Sequence, residues 1–335
     1  MNTDSYQCAM GTNDSDSKCA LWMLKVDPFA GKIEKLPLPA TMNRREYSAI
    51  AWSPDGRFVF AGTTSGEFCC CIKQAKKQEF KIGTYTTVCR LGVQSIRCVP
   101  SGDSYLVVTG GGDGSVMVWR PYIQGKALNF ESVSQFNVTG GVLALSVAVW
   151  SGETGPTCEA LAGTDTGYVY RINLTGPIFQ DRSQQVLPPL RISESHVGAV
   201  RNVGFGSKIN ELFATCGRDR TVRVWDSSDY TVRMEASVSK TDVYPTCVAM
   251  TLDSEIVLSG WNDGKVRAYL VNPEDVKEYG SNKAWEISDV AGGRGLSNIV
   301  LSNNERFFVT GGYDGMVRVW GYSGHELVSQ LKQVG

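Results

Sequence analysis

Carboxylates in turns, two histidines and two glycine-rich loops are the groups with which this 335-residue chain could do chemistry. Asp113, Asp219, Asp263 and Asp314 could serve as acids, bases or metal ligands, and His196 lies upstream of Asp219. Gly110-Gly111-Gly112-Asp113-Gly114 and Gly311-Gly312-Tyr313-Asp314-Gly315 have the composition of phosphate-cradling loops. Such a loop needs a helix N-terminus behind it. These runs lead instead into Val116-Met117-Val118-Trp119 and Val317-Arg318-Val319-Trp320, which read as strands. There is no Gly-X-Ser-X-Gly elbow and no CxxC pair, and His196 and His325 are too few for a zinc site. The recurring carboxylates are accounted for by turns, so the chain reads as a non-enzyme with no metal and no cofactor.

What positions these groups is a repeat. A turn residue is followed six positions later by a strand residue at Asp16 and Trp22, Ser65 and Cys71, Asp113 and Trp119, Thr166 and Ile172, Asp219 and Trp225, Asp263 and Tyr269, and Asp314 and Trp320. Successive turn residues lie 49, 48, 53, 53, 44 and 51 positions apart. That period fits one four-stranded propeller blade plus a variable loop better than a helical repeat. The expected fold is all-β, a β-propeller of about seven four-stranded blades spanning 1–335. The blades are expected at about 6–38, 46–82, 93–136, 138–190, 195–238, 245–287 and 295–333. Residues 6–11 read as a second strand, so the first blade is expected to lack its innermost strand. A second chain or a neighbour could complete it, and parts of two propellers would fit the same repeat.

Composition narrows the function classes. Lys and Arg total 33 against 34 acids, a net charge of -1, so no chain-wide field draws nucleic acid or anionic membrane, and neither is expected as a partner. No apolar run approaches the roughly 20 residues needed to cross a bilayer, and residues 1–8 lack a signal-peptide core. The ten cysteines fall mostly in apolar strand-like runs, among them Cys69-Cys70-Cys71, and read as reduced and buried rather than as a disulfide framework.

Residues 195–226 carry the repeat in full: His196, apolar runs at 199–205 and 212–216, the turn Gly217-Arg218-Asp219-Arg220, and the strand 221–225. This block resembles a WD repeat. The resemblance implies a structural hydrogen-bond network of His196, Thr215, Asp219 and Trp225, and buried carboxylates and indoles do need such partners. Asp113 with Trp119, Asp263, and Asp314 with Trp320 occupy matching positions in other blades, with the tryptophans packing between blades. Residues 121–137, 151–158, 173–194 and 271–284 read as long connecting loops suited to docking.

The run Glu211-Leu212-Phe213-Ala214-Thr215-Cys216-Gly217, the following Val222-Arg223-Val224-Trp225 and the motif Trp261-Asn262-Asp263-Gly264-Lys265 resemble the cilia- and flagella-associated WD-repeat family. Members of that family line the lumen of axonemal doublet microtubules. They carry two propellers in a chain about twice this length, and this sequence is similar to their middle portion. A related centriolar WD-repeat family shares several of the motifs. The resemblance implies a structural protein of the ciliary or flagellar axoneme that binds tubulin and neighbouring doublet proteins. Arg44, Arg45, Lys76, Lys77, Arg218 and Arg220, on predicted turns, are the candidate contacts, although solvated surface charge is the simpler account of each one taken singly. The alternative is a soluble adaptor that reads a peptide on the propeller face.

Overall fold

The computed structural model describes residues 6–12, 20–27, 32–36, 46–73, 80–101, 104–124, 127–152, 155–179, 186–192, 196–206, 211–272, 282–288, 290–302, 304–323 and 326–334. They form one three-stranded and six four-stranded antiparallel sheets, each made of strands consecutive in the chain. The first holds β1 (Tyr6–Thr12), β2 (Ala20–Asp27) and β3 (Lys32–Leu36), and the second β4 (Tyr47–Trp52), β5 (Phe58–Thr63), β6 (Glu67–Lys73) and β7 (Phe80–Thr87). The third holds β8 (Val93–Ser101), β9 (Ser104–Gly111), β10 (Ser115–Gln124) and β11 (Ala127–Asn137). The fourth holds β12 (Val142–Gly152), β13 (Gly155–Thr164), β14 (Val169–Asn173) and β15 (Leu190–Arg191), with the five-residue helix α1 (Thr175–Phe179) between the last two. The fifth holds β16 (Val200–Phe205), β17 (Leu212–Gly217), β18 (Thr221–Asp226) and β19 (Val232–Ser237). The sixth holds β20 (Pro245–Met250), β21 (Ile256–Trp261), β22 (Val266–Leu270) and β23 (Lys283–Ile287). The seventh holds β24 (Leu296–Leu301), β25 (Phe307–Gly312), β26 (Val317–Ser323) and β27 (Glu326–Val334). This is the arrangement of a β-propeller, with three strands in the first blade where the others have four.

Two of the expected loops are strands. Residues 121–137 belong to the long hairpin β10–β11, in which Tyr122 faces Asn129 and Pro121 faces Phe130. Leu128 and Phe130 alternate on the Trp119 face and Phe136 is buried on the other face beyond a bulge opposite Trp119, and this burial outweighs the local proline and glycine. Most of 151–158 likewise lies in β12 and β13, separated only by residues 153–154. Strand β10 also runs past Trp119 to Gln124 rather than ending there.

The chain divides into two compact units, Met1–Ala162 with Tyr170–Leu190, and Gly163–Val169 with Arg191–Gly335. In the first, Phe60, Phe68, Val93, Ile96 and Trp119 share one buried cluster, and Phe130 meets Phe68 edge-on at 4.8 Å between ring centres. Ser48 ties two of its sheets together by donating to the carbonyls of Val93 (2.5 Å) and Gly62 (3.3 Å). The second unit repeats the device, with Thr246 donating to the carbonyls of Leu296 (2.6 Å) and Gly260 (3.0 Å). Its core stacks Phe213 on Trp225 and Phe308 on Trp320, at 5.9 and 6.1 Å between ring centres. Each such aromatic removes well over a hundred square ångströms of apolar surface from water, enough to anchor a sheet.

Candidate functional site

In the second to seventh blades the turn between the second and third strands recurs with one geometry. In the fifth blade it begins where β17 ends at Gly217, and the Arg220 amide closes it on the Gly217 carbonyl. Asp219 then accepts hydrogen bonds from the Thr221 amide (3.2 Å), the Thr221 hydroxyl (2.8 Å) and the Val197 amide (3.1 Å). His196 is buried against it, with Nδ1 2.9 Å from Asp219 Oδ1 and Nε2 2.7 Å from Thr215 Oγ1. Trp225 donates its indole N–H to the same Thr215 oxygen at 2.8 Å. Burial alone would raise the Asp219 carboxyl, but the hydrogen bonds and charge of His196, with those of Thr221 and Val197, hold it at about 2. Both ring nitrogens of His196 are thereby engaged within the protein, which is how a structural histidine is held and not how a base awaits a substrate.

Other blades keep parts of this arrangement. Trp119 donates to Thr109 and Trp320 to Thr310, each at 2.9 Å, while Trp261 donates to Ser259 at 2.8 Å. Asp113 accepts from the amides of Arg90 and Ser115, both at 3.1 Å, and Cys89 stands in the place of the histidine. Burial, with the Asp113 charge beside it, pushes the Cys89 thiol up to about 11. In the second and fourth blades a hydroxyl replaces the turn carboxylate: Ser65 bonds Thr63 and Thr166 bonds Thr164, both at 2.9 Å.

Arginines four residues after the turn aspartate complete the pattern, and they were not singled out from the sequence. Arg267 donates to Asp263 and Arg318 to Asp314, both at 2.7 Å, in blades whose networks contain no histidine among the described residues. Arg267 also reaches Glu286 (3.1 Å), which takes Lys265 at 2.6 Å. Burial raises the Glu286 carboxyl, but Lys265 and Arg267 outweigh it and hold it at about 2. In the fifth blade His196 already fills Asp219, and Arg223 turns to Glu235 at 2.8 Å. The signal was visible as the arginine shared by Val222-Arg223-Val224-Trp225 and Val317-Arg318-Val319-Trp320.

The charged turn residues are placed as follows. Arg218 is exposed, with its guanidinium 5.1 Å from the Tyr244 ring centre. Arg220 holds a positive φ of 72° at the position where Asp113, Asp263 and Asp314 are followed by Gly114, Gly264 and Gly315. Arg44, Arg45, Lys76 and Lys77 lie outside the described residues, as do Asp16 and His325. Among the described residues no group of three His, Cys, Asp or Glu side chains is placed to hold a metal, and eight cysteines are free thiols.

These turns and their tryptophan anchors belong to a β-propeller whose blades resemble WD repeats. The family model for the WD domain, G-beta repeat, matches residues 86–120, 188–226 and 279–321. Over most of its length the chain resembles the cilia- and flagella-associated WD-repeat proteins. It is 26% identical to cilia- and flagella-associated protein 52 of Homo sapiens over 297 residues, covering 87% of this chain and 41% of that one. Against the protein of the same name from Chlamydomonas reinhardtii it is 25% identical over 277 residues, 80% of this chain and 40% of that one. The chain thus spans about two fifths of the length of these relatives. Among solved structures, Chaetomium thermophilum Sqt1 bound to the N-terminus of the ribosomal protein L10 superposes with a TM-score of 0.68 at 15% identity, covering 98% of this chain and 84% of that one. That likeness speaks to the fold. No helix among the described residues is long and apolar enough to cross a membrane.

Proposed function

We propose that this protein is a non-enzymatic structural component of the ciliary or flagellar axoneme, which binds the luminal face of doublet microtubules and neighbouring inner proteins and so stabilises the doublet. The observation that carries this reading is the similarity to cilia- and flagella-associated protein 52, which runs through 87% of the chain rather than through one repeat. The chemistry of the turns agrees with a static role, because buried His196 and the half-buried carboxylates Asp219, Asp263 and Asp314 are used up in bonds within their own blades. Rigid sheets with several separate loops suit multivalent contact, where individually weak sites held in one geometry add up. Arg218 and Arg220 are the described candidates for tubulin or neighbour contact, and the left-handed backbone of Arg220, where glycine would be unstrained, supports a use for its side chain. The test is fractionation of a ciliated cell expressing the tagged chain. Retention on axonemes through detergent and high salt supports the proposal, and full release into the soluble pool overturns it.

A second reading, a soluble adaptor for a peptide motif, is favoured by one feature: Val197 is 83% exposed beside Arg218 and Tyr244, an apolar and cationic grouping at strand entrances of the second unit. Release from axonemes together with capture of one linear motif would select it.

A further inference from the structure

Five consecutive apolar residues, Val186-Leu187-Pro188-Pro189-Leu190, run along the surface from the connection after α1 into β15. Val186 is 55% exposed, Leu187 50% and Leu190 53%, while Pro188 is exposed and Pro189 half-buried. A single exposed aliphatic is ordinary, but a contiguous apolar run held in water marks a surface that meets another molecule.

The two prolines set its shape. Each ring fixes its own φ at about −65°, and each pushes the residue before it out of the helical region, so Leu187 and Pro188 are both held extended. The stretch is therefore of polyproline II type, and residues 186–189 accordingly form no helix, strand or turn. This conformation makes no internal hydrogen bonds, and the carbonyls of residues 186–188 take none from another described part of the backbone. With three residues per turn, Leu187 and Leu190 return to one edge about 9 Å apart, and both are about half exposed there.

These features choose among the ways a partner could engage the run. Pro188 and Pro189 have no N–H to give, so the run cannot extend a partner's sheet as an added strand. What it offers is two flat rings, two leucines on one edge and free carbonyl acceptors. The matching surface is a groove with aromatic walls, whose faces pack on the prolines and whose indole N–H or phenol O–H donates to the carbonyls. The ordering cost of such docking is small, because the prolines hold the bound conformation beforehand.

We propose that Val186–Leu190 is a docking segment for a partner domain that reads polyproline II through an aromatic-lined groove. The proposal stands on this segment alone and is independent of the axonemal reading.

The probes are purified, fluorescein-labelled SH3 and WW domains arrayed singly, each titrated with the full chain and followed by fluorescence anisotropy. At least one domain is expected to bind saturably and to be displaced by an excess of a synthetic peptide of residues 185–191. Replacing both prolines, Pro188→Ala with Pro189→Ala, is expected to weaken that binding by roughly tenfold or more. Because the prolines lie at exposed and half-buried positions, the variant should keep its far-ultraviolet circular dichroism and urea midpoint. Should it fail to fold, Leu187→Asp, at an exposed position, makes the same test. No saturable binding to any domain of the array, binding indifferent to these substitutions, or a dimer of the chain that buries Leu187 would each overturn the proposal.

Discussion

Arg267 donates to Asp263 across 2.7 Å, and with this contact the arginine does in the sixth blade what His196 does for Asp219 in the fifth. The equivalent arginine beside the histidine, Arg223, stands back at 3.7 Å from Asp219. In the fifth, sixth and seventh blades the turn carboxylate therefore takes one close cationic or imidazole partner, and the blades differ in which residue supplies it, whereas Asp113 in the third is held by the Arg90 and Ser115 amides and the Ser115 hydroxyl. A buried carboxylate left without either would bear its full desolvation penalty.

This exchange predicts unequal costs for the two arginines. Arg267→Met should destabilise the protein by about 3 kcal/mol, since it strips Asp263 and unbalances Glu286 in a largely buried setting. Arg223→Met, with Asp219 still held by His196 and the lost Glu235 contact at the surface, should cost less than about 1 kcal/mol. Urea denaturation of the two variants measures the difference.

Thr215 accepts from Trp225 and also bonds His196, whereas Thr310 serves Trp320. Thr215→Val leaves two buried groups unsatisfied and should cost roughly 2–4 kcal/mol, against roughly 1–2 for Thr310→Val. Equal losses in calorimetry would show that the histidine contact adds nothing.

The carboxyls of Asp219 and Glu286, both held at about 2, bind protons less readily in the folded chain than in the unfolded one. Their contribution, about 1–2 kcal/mol each, is fully present above their unfolded values near pH 4 and is lost as pH falls through 2. Stability measured between pH 5 and 2 should fall accordingly, and Asp219→Asn should flatten that slope.

Arg220 adopts a left-handed φ of 72° that glycine occupies without strain. Arg220→Gly should leave the urea midpoint unchanged or raise stability by up to about 0.5 kcal/mol, because relief of strain offsets the entropy glycine adds to the unfolded chain. A loss of axonemal retention in this variant, with stability intact, would mark Arg220 as a contact.

Much of this architecture was legible from spacing. The turn residues Asp113, Asp219, Asp263 and Asp314 and the anchors Trp119, Trp225 and Trp320 recur at a blade-sized period because each blade needs one tight turn and one packed apolar anchor. Two features were hidden for physical reasons. Hairpin β10–β11 was obscured by Pro121 and Gly125, residues that usually end strands, and by the bulge opposite Trp119, which breaks the alternation between Phe130 and Phe136. The arginine partners of Asp263 and Asp314 sit where a strand's polar face is ordinarily solvated, so only the folded turn reveals that they reach back four residues to a carboxylate.

The most direct test of the structural role is cryo-electron microscopy of doublet microtubules isolated from cells expressing the tagged chain, with tag-directed labelling to locate it. The account predicts a propeller-shaped density repeating at regular intervals on the luminal wall and absent when the chain is deleted. Doublets unchanged by the deletion, with the label confined to the soluble fraction, would contradict it.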